Sequence, residues 1–312
     1  MKAFVPIAAA LLAVGLHSTP SSPRQAATLA ESNRFASQAS GQQASGAASD
    51  IAPDPRELIQ RSAQNELQNE KLARSYTFIQ REEEHRLDSS GKVVSTESET
   101  SEIMILYDEP IERLIAKNDK PLSPKDAAKA EEKIDKFMNE RKNETPEQRQ
   151  KRLDKEEKER EEGRAFVAEI AQAYNFTLVG TQNIEGRDAY EIDAQPRPGY
   201  KPQSRAAKLL LPKFTFRVWI DKQDSQWVKI DAEAIDNATW GLFLLKLYKG
   251  SKASLEQTHV NDEVWLPKHI HVDVRARVAL FKSFNEDIDI TYKDYKKFRT
   301  EIKLSPSVPV TQ

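Results

Sequence analysis

His269, His271 and Asp273 are the residues whose types and spacing come nearest to a reactive or metal-binding centre. On a β-strand, positions i, i+2 and i+4 share a face, so two imidazoles and a carboxylate could converge there on zinc, with His259 near. The same face runs on into Arg275 and Arg277, whose charges oppose a bound cation, and no third well-spaced ligand follows. The expectation is therefore a solvated strand face, with no metal site and no cofactor. A metal-dependent enzyme at His269 and His271 is the weaker reading.

Acidic residues form a second constellation. Glu82, Glu83 and Glu84 face Glu97, Glu99 and Glu102 across a predicted hairpin. Opposed like charges are destabilising, which suits a calcium ion or a basic partner, but a kink or another register relieves them equally well. Other chemistry is poorly supplied. The chain has no cysteine, which removes disulfides, thiolate metal sites and cysteine nucleophiles. It contains no Gly-x-Ser-x-Gly elbow, and its 10 glycines form no phosphate-cradling loop. No catalytic residue is expected.

The elements that would position these groups follow from composition and period. Of 312 residues, 38% are hydrophobic and 31% charged, so part of the chain stays outside any core. A net charge of −2 removes the electrostatic case for nucleic acid or an anionic membrane surface. Lys2 followed by an apolar stretch over 3–16 predicts a secretory signal, residues 1–18, too short to span a bilayer. Residues 19–53, rich in Ser, Ala, Gln and Gly, are expected to be a disordered tether, and 305–312 a tail. The product is thus expected in the periplasm or secreted, with no transmembrane segment after cleavage.

Asp54-Pro55-Arg56-Glu57 predicts a helix start, with Asp54 as N-cap and Glu57 completing a capping box. Strands over 75–87 and 93–107 flank the turn Asp88-Ser89-Ser90-Gly91-Lys92, and a short strand follows over 111–116. Residues 123–165 form a charged helical insert: Ile134, Phe137 and Met138 are spaced for one helical face, the capping box Thr145-Pro146-Glu147-Gln148 restarts the helix, and its solvated stretch after Leu153 docks only through Phe166, Val167, Ile170 and Tyr174. Acid-before-base pairs such as Glu147 with Lys151 support its helix. From 176 to 304 alternating strands with short turns predict antiparallel sheet, clearest over 269–278, where even positions are apolar. Residues 240–248 are apolar all round and fit a short helix or a buried strand equally.

Four short motifs occur in order: Gly186-Arg187-Asp188-Ala189-Tyr190-Glu191-Ile192 with Pro196, Val218-Trp219-Ile220-Asp221, Val228-Lys229-Ile230, and Val264-Trp265-Leu266-Pro267. With the preceding helix and hairpin, they resemble the periplasmic lipoprotein-sorting superfamily, which includes Lol-type lipoprotein carriers and RseB-type envelope-stress regulators. The resemblance covers roughly residues 55–303 and places a single carrier-like domain over 54–304. It implies an α+β fold: a strongly curved, unclosed antiparallel β-sheet, a half-barrel with helices on its concave side. It further implies a non-catalytic binder of a lipid, a lipoprotein acyl chain or another hydrophobic ligand. In that case Phe214, Phe216, Val218, Ile220, Val228, Ile230, Ile270, Val272, Val274, Val278, Ile288 and Ile290 would line the binding face. The same residues could equally pack as an ordinary core. The charged insert is not part of the family pattern and supports an alternative, an envelope protein-interaction or stress-sensing module with a protein partner.

Overall fold

The computed structural model describes residues 52–107, 109–240, 245–278 and 282–298. The expected signal, nearly all of the expected tether and the tail lie outside them. Helix α1 spans Pro55–Ala73, and Asp54 caps it by accepting the Arg56 N–H at 2.9 Å rather than through the Glu57 box expected. Strands β1 (Tyr76–Leu87) and β2 (Val93–Leu106) form the predicted hairpin. Its turn is built by Asp88, whose Oδ1 accepts from the backbone N–H of Ser90 and of Lys92, while Gly91 takes φ +84°, a conformation that favours glycine. Strands β3 (Glu109–Lys117) and β4 (Lys120–Pro121) complete the first half.

The charged stretch forms α2 (Pro124–Lys142) and α3 (Pro146–Ala173), and Thr145 and Gln148 make the expected reciprocal capping box. Ion pairs at i,i+4 run along α3, among them Arg152 with Glu156 at 3.1 Å and Lys155 with Glu159 at 3.7 Å. Helix α2 packs along β3, burying Ala130 and Ile134, with Phe137 edge-on to Tyr107. Arg141 and Arg152 both reach Glu109 at the start of β3, at 2.6 and 3.3 Å, and Arg152 also binds Glu144.

Strands β5 (Tyr174–Ile184) and β6 (Arg187–Pro196) precede helix α4 (Arg205–Leu210) and a single 3₁₀ turn, Leu211–Lys213. Then come β7 (Phe214–Asp221), β8 (Trp227–Ala234), β9 (Ala238–Trp240), β10 (Leu245–Leu247), β11 (Lys252–Val260), β12 (Val264–Val278) and β13 (Lys282–Lys297). Of the apolar stretch 240–248 left open between helix and strand, Trp240 ends β9 and Leu245–Leu247 form β10, while 241–244 lie outside the described residues.

All thirteen strands join one antiparallel sheet in the order β4-β3-β2-β1-β13-β12-β11-β8-β7-β6-β5, with β10 and β9 added beside β12. The last long strand, β13, lies between β1 and β12, so register links the two ends of the chain. The path does not close: β4 and β5 are its free edges. Register shifts interrupt six pairings, and each such bulge bends and twists the strands. The architecture is the α+β half-barrel expected.

Alternation decides the two faces. On β7, Phe214, Phe216, Val218 and Ile220 point to the inner face, where α1, α4 and the end of α3 lie; Thr215, Arg217, Trp219 and Asp221 point away. No helix among the described residues is long and apolar enough to cross a membrane.

Candidate binding face and the helix across it

The inner face gathers most of the residues expected to line a binding surface. Phe214, Ile270, Val272, Val274, Ile288 and Ile290 form one buried cluster with Leu255 and Leu247. Register places Ile270 opposite Ile290 and Val272 opposite Ile288, so the even positions of β12 and β13 do share a face. Val218 and Ile220, with the partly buried Ile230, form a second cluster under Leu58 and Ile59 of α1. Phe216 and Trp227 touch both clusters and join them. The side chain of Val278 lies outside the described residues.

Val228 departs from the expected set. The register shifts between Trp219 and Ile220, so Ile220 pairs with Trp227 and Val228 is the extra residue. It packs with Ala189, Trp219 and Trp265 on the outer face. Trp227, which the sequence reading passed over, takes its place inside.

The four motifs that carried the family resemblance meet on that outer side. Gly186, at φ +86°, turns the chain from β5 into β6 and presents Arg187. Arg187 makes a two-pronged bond to Asp221, 2.8 Å on each side, also binds Asp224 at 2.7 Å, and lies 5.2 Å from the centre of the Trp265 ring. The Asp221 side chain is fully buried. Burial alone would raise its pKa, but Arg187 and the backbone N–H groups of Asp224 and Gln223 hold it below the usual carboxylate value. The motifs thus build a clasp that fixes one end of the sheet.

Helix α1 crosses the inner face from β5 to β12. Arg56 donates to the Tyr174 carbonyl on β5, Leu58 lies over β6 and β7, and Asn65 donates to the Asp224 carbonyl. Asn69 grips β12: its amide donates to the Trp265 carbonyl at 2.8 Å and accepts the Trp265 N–H at 2.7 Å. That stretch of β12 precedes the residues paired with β13, and the amide acts there as a surrogate peptide group. The docked stripe of α1 is therefore apolar in its first turn, at Leu58 and Ile59, and polar beyond it, at Ser62, Glu66 and Asn69. Such a contact exchanges for water at a net cost of only about 0.5–1.5 kcal/mol per hydrogen bond.

Glu66 accepts from the Trp227 Nε1 at 2.8 Å and from Gln226. Burial, reinforced by the charge of Glu70, raises its pKa to about 7. The sign follows. Between the unfolded value near 4.5 and about 7, the folded state holds a proton that the unfolded state has lost, so stability falls as pH rises through that window. Glu66→Gln removes the titration while keeping an acceptor for Trp227. The variant is expected to be no more stable than wild type at pH 4, and more stable by about 2 kcal/mol at pH 8, as read by urea unfolding across pH.

The histidines sort differently from expectation. His259 is not near the pair on β12; it stacks on Trp265 at 4.9 Å and faces Asp224. His269 and His271 do share the outer face, but their carboxylate partners are Asp287 and Asp289 of β13. Of the opposed glutamates, Glu82 faces Glu99 and Glu84 faces Glu97, while Glu83 faces Ser98 and Glu102 faces Ile79. Lys117 reaches Glu99, Arg86 reaches Glu84, and Arg81 reaches Glu83, so basic side chains from the sheet itself relieve the repulsion.

No protein-family model and no curated protein matches the chain. Solved structures similar to it include a LolA superfamily protein from Nitrosomonas europaea, 10% identical over 80% of this chain and 95% of that one, with a TM-score of 0.28. An outer membrane lipoprotein-sorting protein domain from Vibrio parahaemolyticus is 10% identical over 79% and 95%, with a TM-score of 0.32. The Pseudomonas aeruginosa MucA/MucB complex contains a chain 11% identical over 77% and 93%, with a TM-score of 0.22.

Proposed function

We propose that this chain is a non-catalytic periplasmic binder of a hydrophobic ligand, a lipid or the acyl chain of a lipoprotein, taken up between the inner face of the sheet and α1. The carrying observation is the mismatch at that contact: an apolar surface on β6, β7 and β8, joined through Phe216 and Trp227 to the apolar face of β12 and β13, lies beneath a helix that docks polar Ser62, Glu66 and Asn69 beyond its first turn. Leaving an acyl chain of about 15 methylenes in water costs on the order of 12 kcal/mol at roughly 0.8 per methylene. Burying it on this face recovers that energy, and displacing α1 exchanges a handful of hydrogen bonds for bonds to water. Catalytic groups are unnecessary for such a task.

The test is direct. Protein purified without detergent is extracted and the extract analysed by mass spectrometry, and delipidated protein is titrated with a fluorescent fatty acid. Co-purifying lipid and saturable probe binding are expected; neither, in protein that unfolds cooperatively, would refute the reading. A second reading, a protein-docking role for α2 and α3, is favoured by the Arg141–Glu109–Arg152–Glu144 network, which fixes a highly charged helical pair rigidly against β3.

A further inference from the structure

On the outer face, three strands from opposite ends of the chain place a grid of ligand-type side chains. Reading across β1, β13 and β12, Glu83, Asp289 and His271 lie side by side, and beside them His85, Asp287 and Asp273. In the next row His269 comes close enough to donate from Nε2 to the Asp289 carboxylate, 2.8 Å away. One ligand atom each from His85, Asp287 and Asp289 lies within 4.8 Å of the others. A modest side-chain rotation brings such a trio to the spacing of about 3.4 Å expected around a tetrahedral ion with ligands near 2.1 Å.

The electrostatics ask for a cation. Asp273 faces Asp287 and Glu83 faces Asp289, two directly opposed like-charge pairs. Arg81 binds Glu83, but the described ion pairs of Asp287 and Asp289 are all with imidazoles. His271 has a carboxylate at each nitrogen, Asp289 at 3.2 Å from Nδ1 and Asp287 at 3.6 Å from Nε2. A neutral imidazole carries one N–H, so one of these nitrogens turns a lone pair toward an anion. A second ring proton or a metal ion between them removes the conflict. The Thr96 hydroxyl, 2.8 Å from the Nδ1 of His85, orients that ring as outer-shell partners of metal ligands do and leaves Nε2, which lies 3.0 Å from Glu83, as the atom that would exchange that carboxylate for the ion.

We propose that His85, Asp287 and Asp289, with His271 as a fourth ligand, bind one divalent transition-metal ion of the zinc class. Mixed imidazole and carboxylate donors favour such an ion over magnesium or calcium, which take oxygen alone. Arg275 and Arg277, which oppose a cation in the sequence reading, lie one and two rows beyond, opposite Asn285 and Ser283. The ion would tie the first long strand to the last two.

Full-length protein freed of metal by a chelator is titrated with Zn²⁺ by calorimetry and with Co²⁺ by its visible absorption, with Mg²⁺ as competitor. One equivalent should bind saturably, Mg²⁺ should not displace it, and Tm should rise with Zn²⁺. Asp287→Asn and His85→Gln should each weaken binding more than about tenfold, with folding checked by circular dichroism. His259→Gln, outside the grid, should leave it unchanged. Absence of saturable binding, or equal weakening by His259→Gln, would overturn the proposal, as would displacement by Mg²⁺.

Discussion

Arg187→Leu is expected to cost about 3–5 kcal/mol of folding stability, the range seen when one partner of a buried ion pair is removed. The reason is what it leaves behind. Asp221 is fully buried, and without Arg187 it keeps only its backbone donors and must either hold an uncompensated charge or take up a proton. The guanidinium also covers the Trp265 ring, so its packing goes too. In wild type the clasp contributes fully above the ordinary carboxylate range, and its contribution is lost as pH falls through the depressed pKa of Asp221. A double-mutant cycle with Asp221→Asn separates the pair from its surroundings: the double variant should be clearly more stable than the sum of the two losses implies. A loss below about 1 kcal/mol in urea unfolding would show that the clasp is ornamental.

Val272→Glu should be the other severe variant. Val272 is buried between Ala253 and Ile288 on neighbouring strands. A carboxylate there has no donor to meet, and several kcal/mol are lost whether it stays charged or protonates. The expected result is a protein that fails to fold or loses about 4 kcal/mol, while Arg275→Gln, exposed on the opposite face, stays within about 0.5 kcal/mol of wild type. If Val272→Glu instead folds with near-normal stability but no longer binds a fatty-acid probe, water already reaches this face, and the apolar surface is an open receptacle rather than one uncovered by α1.

The inner face was legible wherever a strand runs without a bulge. Residues 269–278 pair with β13 in unbroken register, so alternation alone assigned Ile270, Val272 and Val274 correctly. Val228 was misplaced because its spacing from Ile230 looks regular, and only the partner strand reveals the inserted residue. Glu66 is only partly legible: Glu70, one helical turn on, is local, but the burial that dominates its raised pKa is set by packing beside Trp227 and Gln226, some 160 residues away, whose hydrogen bonds act in the opposite direction. The outer grid shows the same limit at longer range. Nothing near His271 in sequence announces that β13 will separate it from His85 and deliver Asp287 and Asp289 between them. Hairpin turns, helix caps and the charged helices depend on neighbours a few positions away, and those were readable.

Besides the three-residue β9 at the end of its branch, the main path of an unclosed sheet leaves two unfinished rows of backbone donors and acceptors, and here they are very unlike. Strand β4 offers two residues, one of them Pro121, which has no N–H to give. Strand β5 offers eleven, but its pairing with β6 skips Val179, so the peptide groups on either side of that residue do not continue one straight row. A stray strand from another polypeptide therefore finds only short, misaligned stretches on which to grow, and repeated stacking of copies into fibrils is disfavoured at both rims. The half-barrel thus keeps its mouth open without inviting the edge-to-edge aggregation that full closure would otherwise be needed to prevent.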